Sequence, residues 1–321
     1  MEAPAHLAAF PGKGVAALLS RLPIGVAAAL ALAPSFLCAQ GTPSVLELTH
    51  SARSAALGGA YPLADPLADV LFAAPGRIGD ARGLSLFHAD FGANGRGFTA
   101  AGAADWWGGG VAGGVQVLSY GVASEDPDAL PPRESRLGDD GPVPVSEAVL
   151  SAGFGREVFD VDVGAALKLV EMRLGAVRAS TVGVDVGAAH ALGPVSVALS
   201  LQNLGGDLSF PGGSRSLPTK VALGLGTQRR PLGPLDLGAA GAVTRLVDGE
   251  VEAGAGVELS YWPINGRTFS GRAGYRHAVD EDLRGLTLGG GFAGDQIRID
   301  YAWQSAGDGR GHHRFGLSWR P

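Results

Sequence analysis

The stretch Val251–Tyr261, VEAGAGVELSY, decides the fold of this chain because apolar residues occupy alternate positions, with Glu, Gly and Ser between them. Successive side chains of a β-strand point to opposite faces. The stretch therefore predicts a strand with one apolar face and one face of small and charged residues. A helix would repeat its apolar residues with a period of 3.6, which this stretch does not do.

The same alternation continues on both sides of this stretch, from about residue 83 to the end of the chain. Its segments are longer than the strands of most soluble proteins and match a tilted bilayer crossing of about nine to eleven residues. They predict an all-β fold, a transmembrane antiparallel β-barrel of about fourteen strands. A soluble β-sandwich would show similar alternation and is the alternative. The segments begin near Gly83, Gly97, Gly109, Ser146, Asp160, Ala179, Pro194, Pro218, Pro234, Glu250, Thr268, Leu283, Gln296 and His312.

The connections between these segments differ in length in a regular way. Gly121–Val145 and Gly205–Leu217 are long, whereas connections such as Trp107-Gly108 and Asn265-Gly266 are tight turns. Outer-membrane barrels have short periplasmic turns and longer external loops. The asymmetry therefore favours the barrel and predicts that the long connections face outward from the cell.

Composition narrows the class of protein further. The chain has 321 residues, 52 of them Gly, which is about twice the usual share of roughly 7%. Small inward residues suit a barrel whose interior holds something besides side chains. The net charge of −6 gives no basic surface, so no nucleic-acid partner is expected. Cys38 is the single cysteine, so no disulfide framework is expected either.

Residues 1–39 are predicted to be a signal peptide for export to a bacterial outer membrane. Lys13 and Arg21 precede the apolar run Ile24–Ala33, and a cleavage site follows Ala39. A lipoprotein cysteine at Cys38 is the alternative. No later stretch of eighteen apolar residues exists, so no transmembrane helix is expected.

Residues 40–82 lack sustained alternation, and they divide the mature chain into an N-terminal segment and a barrel at 83–321. We expect this segment to be ordered and to sit in the periplasmic mouth of the barrel as a plug. A mobile periplasmic tail is the alternative.

The plug segment carries a family resemblance. Ser51–Ile78 reads SARSAALGGAYPLADPLADVLFAAPGRI and resembles the opening of the PorV/PorQ family, relatives of the FadL-type outer-membrane barrels. Gln202–Gly205, Leu217–Thr219 and Arg272–Arg276 resemble later parts of that family in the same order. The chain departs from the pattern at Pro66, where a second acid is usual. The plug or hatch residues that this resemblance implies are Arg53, Gly58, Gly59, Ala60, Asp65, Pro75 and Gly76.

The resemblance implies two roles besides that of a purely structural barrel. PorV-like proteins are accessories in type IX secretion, which would make secretion-system proteins or secreted cargo the partners, engaged through Gly121–Val145 and Gly205–Leu217. FadL-like proteins pass hydrophobic small molecules inward past an N-terminal hatch. On the sequence alone, secretion is the preferred role. An apolar pocket between plug and wall would favour transport instead, and a filled lumen would favour the partner role.

No catalytic motif is present: the chain lacks GxSxG, HExxH, CxxC and the phosphate loop, so we expect no enzyme and no cofactor or metal. Membrane lipid is the surrounding partner. Charged residues on the inward faces are of both signs, so an internal ion-pair network is expected to stabilise the barrel. These lumen-facing residues are Asp162, Lys168, Asp185, Glu252, Glu258, Arg272, Arg276, Arg298 and Asp300.

Overall fold

The computed structural model describes residues 44–49, 51–91, 95–122, 143–247, 249–279, 283–306 and 311–321. The predicted signal peptide, 1–39, and most of the predicted external loop Gly121–Val145 lie outside the described residues. The described residues belong to one compact unit.

Long antiparallel strands form a closed wall. Among the described residues, fourteen strands pair in chain order, and β1 and β17 close the ring, with Leu84 opposite Trp319. The predicted barrel and its strand number are confirmed. The strands are β1 (Gly83–Asp90), β2 (Arg96–Trp106), β3 (Gly109–Val122), β4 (Val143–Val158), β5 (Val161–Leu174), β6 (Val177–Leu192), β7 (Val195–Gly205), β8 (Leu208–Phe210), β9 (Gly213–Arg215), β10 (Lys220–Thr227), β11 (Arg230–Leu232), β12 (Leu235–Leu246), β13 (Val251–Ile264), β14 (Arg267–His277), β15 (Gly285–Ala293), β16 (Ile297–Ser305) and β17 (Gly311–Trp319).

Three short strands do not count as separate wall strands. β8 and β9 form a hairpin of their own within the predicted loop Gly205–Leu217. β11 continues β10 along β12, but the register changes between them: Gly226 pairs with Ala240, whereas Arg230 pairs with Leu237. One extra residue on the β10 side causes this change, which is the geometry of a β-bulge.

The two ends of the barrel differ. Short turns join the strands at one end, called the turn end. The longer connections lie at the other end, called the loop end, together with the two-residue turn between Leu174 and Val177. Trp107 and Gly108 both have positive φ, 48° and 74°, as do Phe159 and Asp160, with 51° and 62°. Such pairs match the twist of a two-residue hairpin.

The outward face of the wall is apolar, and it includes Leu150, Leu167, Val182, Val257 and Phe315. An apolar outward band is the surface that a lipid-facing barrel needs. Among the described residues, no helix is both long enough and apolar enough to cross a membrane.

The plug lies inside the barrel and runs along the lumen from the loop end to the turn end. It consists of the 3₁₀ turn Ser44–Leu46, the helix α1 (Ala52–Ala56), and the 3₁₀ segments Ala68–Phe72 and Pro75–Asp80. Pro75–Asp80 packs on the turn-end halves of β4, β5 and β6. The sequence predicted a plug in the periplasmic mouth, and the described part of this segment reaches both ends of the lumen.

The loop end of the lumen is filled by an apolar cluster. Val45 and Leu46 of the plug pack with wall residues such as Met172, and Leu208 and Phe210 of the β8–β9 hairpin close over them. Part of Gly205–Leu217, expected to be an outward contact surface, is therefore turned inward. The remaining core lies between the plug and the small inward residues of the wall.

Candidate functional site: the plug and its seat in the lumen

Glycines in the wall let the plug backbone approach the strands closely. A Cβ added at Gly274 would lie 2.6 Å from the backbone N of Gly58, and one at Gly256 would lie 2.6 Å from the Cα of Leu57. Gly58 itself has a φ of +71°, a conformation that side chains other than glycine rarely adopt. The backbone of the plug therefore rests directly on β13 and β14.

A second seat holds the start of the segment Pro75–Asp80. A Cβ at Gly76 would lie 2.9 Å from the Cα of Ala188, and one at Gly187 would lie 3.1 Å from the backbone N of Gly76. A Cβ at Gly164 would overlap the carbonyl of Pro75. The high glycine content of the chain thus has a specific use, since many inward glycines leave room for the plug.

Arg53 links the plug to the wall through charge. It lies on α1, whose first turn is capped by the Ser51 hydroxyl accepting from the Ser54 N–H at 3.4 Å. The Arg53 guanidinium donates to both carboxylate oxygens of Glu258, at 3.2 Å each, and approaches Asp65 at 3.4 Å. A planar guanidinium suits such two-point contact with a carboxylate.

Asp65 is the acidic residue through which the plug pairs with arginines of the wall and of the chain's end. Its carboxylate meets Arg298 at 2.9 Å, Arg320 at 3.1 Å and Arg53 at 3.4 Å. Burial alone would raise the pKa of this carboxyl, but the nearby guanidinium groups outweigh burial and hold the pKa well below its usual range. Asp65 therefore stays ionised and ties the plug to β16 and to the chain's last residues.

Wall residues complete the same network. Glu258 also accepts from Arg229 at 2.7 Å and from Arg272 at 2.5 Å, and Arg272 reaches Asp300 at 2.7 Å. We call this set the arginine cluster: Arg53, Asp65, Arg229, Glu258, Arg272, Arg298, Asp300 and Arg320.

A separate buried group stands between β5, β6 and β7. Lys168 forms an ion pair with Asp185 at 2.6 Å and donates to the side chain of Asn203 at 2.7 Å. Asn203 has a φ of +60° at the point where the β6–β7 register shifts, and its amide donates to the Pro218 carbonyl at 2.9 Å. The group thus anchors the connection that carries the β8–β9 hairpin.

All nine charged residues expected to face the lumen lie on the inner side, and the structure places each of them in an ion pair. Arg276 pairs with Glu252 at 3.0 Å, and Asp162 pairs with Arg77 of the plug. The remaining six belong to the arginine cluster or to the Lys168 group. Five of the seven plug residues meet the wall through the glycine seats or the arginine cluster, whereas Ala60 packs against Ala240 and Gly59 lies beside the Arg276 side chain.

Sequence reasoning missed several residues of this interior. Arg229 lies where the alternation breaks at the β10 bulge, so no strand face was assigned to it. Arg320 alternates with the apolar residues of the last strand but was not counted among the lumen-facing charges. Glu147 is fully buried and accepts from the Val45 N–H at 2.7 Å, and Lys220 donates to the Leu46 carbonyl at 2.9 Å. Acids and lysines on inward strand positions were the available signal for these two.

A cavity of about 160 Å³ lies between plug and wall. Apolar groups on its surface include Leu46, Leu63, Phe72 and Leu223. Several of its polar groups already have partners: Lys168, Lys220 and Arg276 as described above, and Gln202, which donates to the Ala73 carbonyl at 2.8 Å. Other polar groups also border the cavity, among them Gln116 and Thr99, whose buried hydroxyl has no hydrogen-bond partner among the described residues.

The barrel with its internal plug segment was compared with solved protein structures. The chain superposes on the Pseudomonas putida toluene transporter TodX with a TM-score of 0.53 and 14% identity, covering 84% of this chain and 96% of TodX. The CymD monoaromatic hydrocarbon channel gives a TM-score of 0.53 and 12% identity, over 84% of this chain and 96% of CymD. The chain has the fold of a FadL-type outer-membrane barrel.

At these low identities, the similarity to FadL-type barrels concerns the fold. A Pseudomonas aeruginosa FadL homologue aligns over 84% of this chain and 98% of its own, at 12% identity and a TM-score of 0.48. No protein-family model matches the sequence, and no curated protein sequence matches it. The broader part of the family resemblance, to FadL-type barrels, is supported; the PorV/PorQ part is not.

Proposed function

We propose that this protein is an outer-membrane transporter of small hydrophobic molecules, with residues 44–82 acting as the hatch. The cavity between plug and wall is the observation that carries the proposal. An apolar protein cavity of about 150 Å³ is large enough to take benzene, so one of about 160 Å³ suits a ligand with a single aromatic ring. Drug-sized ligands need roughly 300 Å³ or more.

The fold comparison supports the same role, which the sequence alone offered as the alternative to secretion. TodX is a toluene transporter and CymD a monoaromatic hydrocarbon channel by their descriptions. A ligand of that size would sit against Leu63 and Phe72 of the hatch and Leu223 of the wall.

Uptake of radiolabelled toluene by whole cells that express the full chain tests the proposal. Ala242 lines the cavity, whereas the next residue, Val243, is exposed on the outward face of the same strand. Ala242→Phe fills the cavity and should lower the initial uptake rate to that of cells without the protein. Val243→Phe adds a ring on the lipid side and should leave uptake unchanged.

Folding of each variant is checked by its gel mobility before and after boiling, because a closed barrel migrates differently when it is not unfolded. Equal uptake by cells with and without the wild-type protein would contradict the proposal. Equal uptake by Ala242→Phe and wild type would show that this cavity is not the route.

A second candidate is a PorV/PorQ-like accessory role in protein secretion or surface assembly. The close backbone contacts between plug and wall favour this role, because they leave little open lumen for transport. A barrel that binds partners through its external surface does not need an open lumen. A photo-crosslinking residue at Ser214, an exposed hairpin position, tests this role in living cells. Capture of a secreted protein together with absent toluene uptake would favour the second candidate.

A further inference from the structure

A second cavity lies in the lumen, nearer the turn end than the cavity of about 160 Å³, which we call the first cavity. It measures about 230 Å³ and is bordered by Pro62 and Ala64 of the plug and by Gly238 and Ala240 of β12. Ala242 of the same strand borders the first cavity. Because Ala240 and Ala242 are successive inward residues, the two cavities are about 7 Å apart along the wall.

The charged groups that border the second cavity already have partners. Four of its residues belong to the arginine cluster and pair with one another: Arg53, Asp65, Arg229 and Glu258. The Thr227 hydroxyl accepts from the Ala239 N–H at 2.9 Å, and Gln228 is exposed at the turn end. A ligand in this cavity therefore meets engaged charges on one side and the apolar side chains of Leu57 and Pro62 on the other.

The plug segment 60–64 separates the two cavities. Tyr61 and Leu63 border the first cavity, whereas Pro62 and Ala64 border the second, as expected for an extended chain whose side chains alternate. The partition is therefore a single chain thick. Among the described residues, no backbone hydrogen bond joins this segment to a wall strand.

Leu63 lies on the wall between the two cavities. A Cβ added at Gly226 would lie 3.0 Å from the backbone N of Leu63 and 3.3 Å from its Cβ, and one at Gly224 would lie 3.5 Å from its Cδ1. Gly224 pairs with Ala242, and Gly226 pairs with Ala240, across β10 and β12. Glycine and alanine thus form a shallow groove from one cavity to the other, and the buried Leu63 fills it.

We propose that the second cavity is a second binding site for a ligand with a single aromatic ring, and that Leu63 separates it from the first site. This inference rests on the proposed transport function, from which it takes the class of ligand. The second cavity, at about 230 Å³, is larger than the cavity of about 150 Å³ that takes benzene. Because packing rather than backbone hydrogen bonding holds the segment against the wall, Leu63 can move off Gly226 and let the ligand pass. The ligand then leaves the first cavity along the lumen towards the turn end.

Crystals soaked in bromobenzene test the second site directly. The wild-type protein should show an anomalous bromine peak in each cavity. Ala64 is exposed and borders the second cavity, so Ala64→Phe fills that cavity and should remove its peak, while the peak in the first cavity remains. Ala242→Phe should remove the peak in the first cavity alone.

Uptake of radiolabelled toluene by whole cells tests the route. Ala64→Phe should lower the initial uptake rate to that of cells without the protein, because the second cavity lies on the way out. Val243→Phe, which carries the same ring on the lipid side, is the matched control. Gel mobility before and after boiling shows whether each variant folds; if Ala64→Phe does not, the wild-type crystals decide.

A reversible crosslink tests the role of Leu63. Leu63→Cys and Gly226→Cys, combined with Cys38→Ala, place two Cβ atoms 3.3 Å apart, close to the separation of about 3.5–4.5 Å in a disulfide. The oxidised barrel should lose uptake and the reduced barrel should regain it, because the bond holds residue 63 on the wall.

The outcomes distinguish this inference from the proposed function. An anomalous peak in the first cavity alone, wild-type uptake by a folded Ala64→Phe barrel, or equal uptake by the oxidised and reduced crosslink variant would overturn the inference and leave transport intact. A wild-type protein with no uptake and no peak in either cavity would overturn both.

Discussion

Gly274 illustrates how single residues decide whether the plug fits. Its missing side chain leaves room for the backbone of Leu57 and Gly58, with the nearest of these atoms 2.6 Å from where a Cβ would be. Gly271, three residues earlier on the same strand, has nothing within 4 Å of its added Cβ. Two glycines of one strand therefore have different structural roles, because they point to opposite faces and only Gly274 shares the inward face of Arg272 and Arg276.

Gly274→Ala should destabilise the folded barrel by about 1–3 kcal/mol, the usual cost of overpacking, because backbone atoms of the plug must move away. Gly271→Ala should change stability by less than about 0.5 kcal/mol, as expected for a surface substitution. The measurement is the temperature at which the unboiled gel band shifts to the unfolded position. A Gly274→Ala barrel as stable as the wild type would show that the plug does not rest on β14.

The sequence predicted which charged residues face the lumen but not which residues they pair with, and the reason is physical. Inward charges such as Lys168 and Asp300 follow from strand alternation, because a lipid-facing charge is costly. Their partners do not follow, since pairing depends on which strands become neighbours and on where the plug lies. Arg229 was missed because the β10 bulge interrupts the alternation from which facing is read.

At the scale of elements, the plug is held by charge as well as by shape. Asp65 connects it to Arg298 of β16 and to Arg320 near the end of the chain. The folded-state pKa of Asp65 is depressed, so its contribution to stability is fully present above the unfolded-state value of about 3.9. That contribution is lost only as the pH falls through the lower folded-state pKa.

The stability that Asp65 contributes to the folded barrel should therefore be constant between pH 5 and pH 7. It should decrease only in strong acid. Asp65→Asn should lower stability by about 1–3 kcal/mol at neutral pH, the cost of a broken buried pair discounted for its 27% exposure. Unfolding midpoints across pH 3–7 check this. Asp207→Asn, at an exposed loop-end position, is the control. A wild-type midpoint that falls already between pH 7 and pH 5 would contradict the assignment.

Some elements were beyond sequence reasoning. Leu208–Phe210 and Gly213–Arg215 are too short to show alternation, so the β8–β9 hairpin was read as an outward loop. Its apolar side chains lie over Val45 and Leu46, a contact that depends on the plug reaching the loop end. By contrast, the starts of the wall strands were predicted well; the largest difference, three residues, separates Ser146 from the observed Val143.

At the scale of the whole molecule, closure and orientation follow from separate features. Closure follows from the alternation along every wall strand, because a strand with an apolar outer face and a polar inner face satisfies its backbone in lipid only within a closed ring. Orientation follows from the connections: the β8–β9 hairpin lies at the loop end, and the turn Asn265-Gly266 lies at the turn end. Short turns are periplasmic in barrels of this class.

Single-cysteine labelling tests that orientation. Cys38, the only cysteine of the chain, is replaced by alanine, and Ser214→Cys or Asn265→Cys is introduced at an exposed position of either end. A membrane-impermeant maleimide should label Ser214→Cys in intact cells but Asn265→Cys only after lysis, because the outer membrane separates the two ends. The reverse pattern would invert the barrel and place the start of β1 outside the cell. Labelling of both positions in intact cells would contradict a transmembrane barrel, since both ends would then share one side of the membrane.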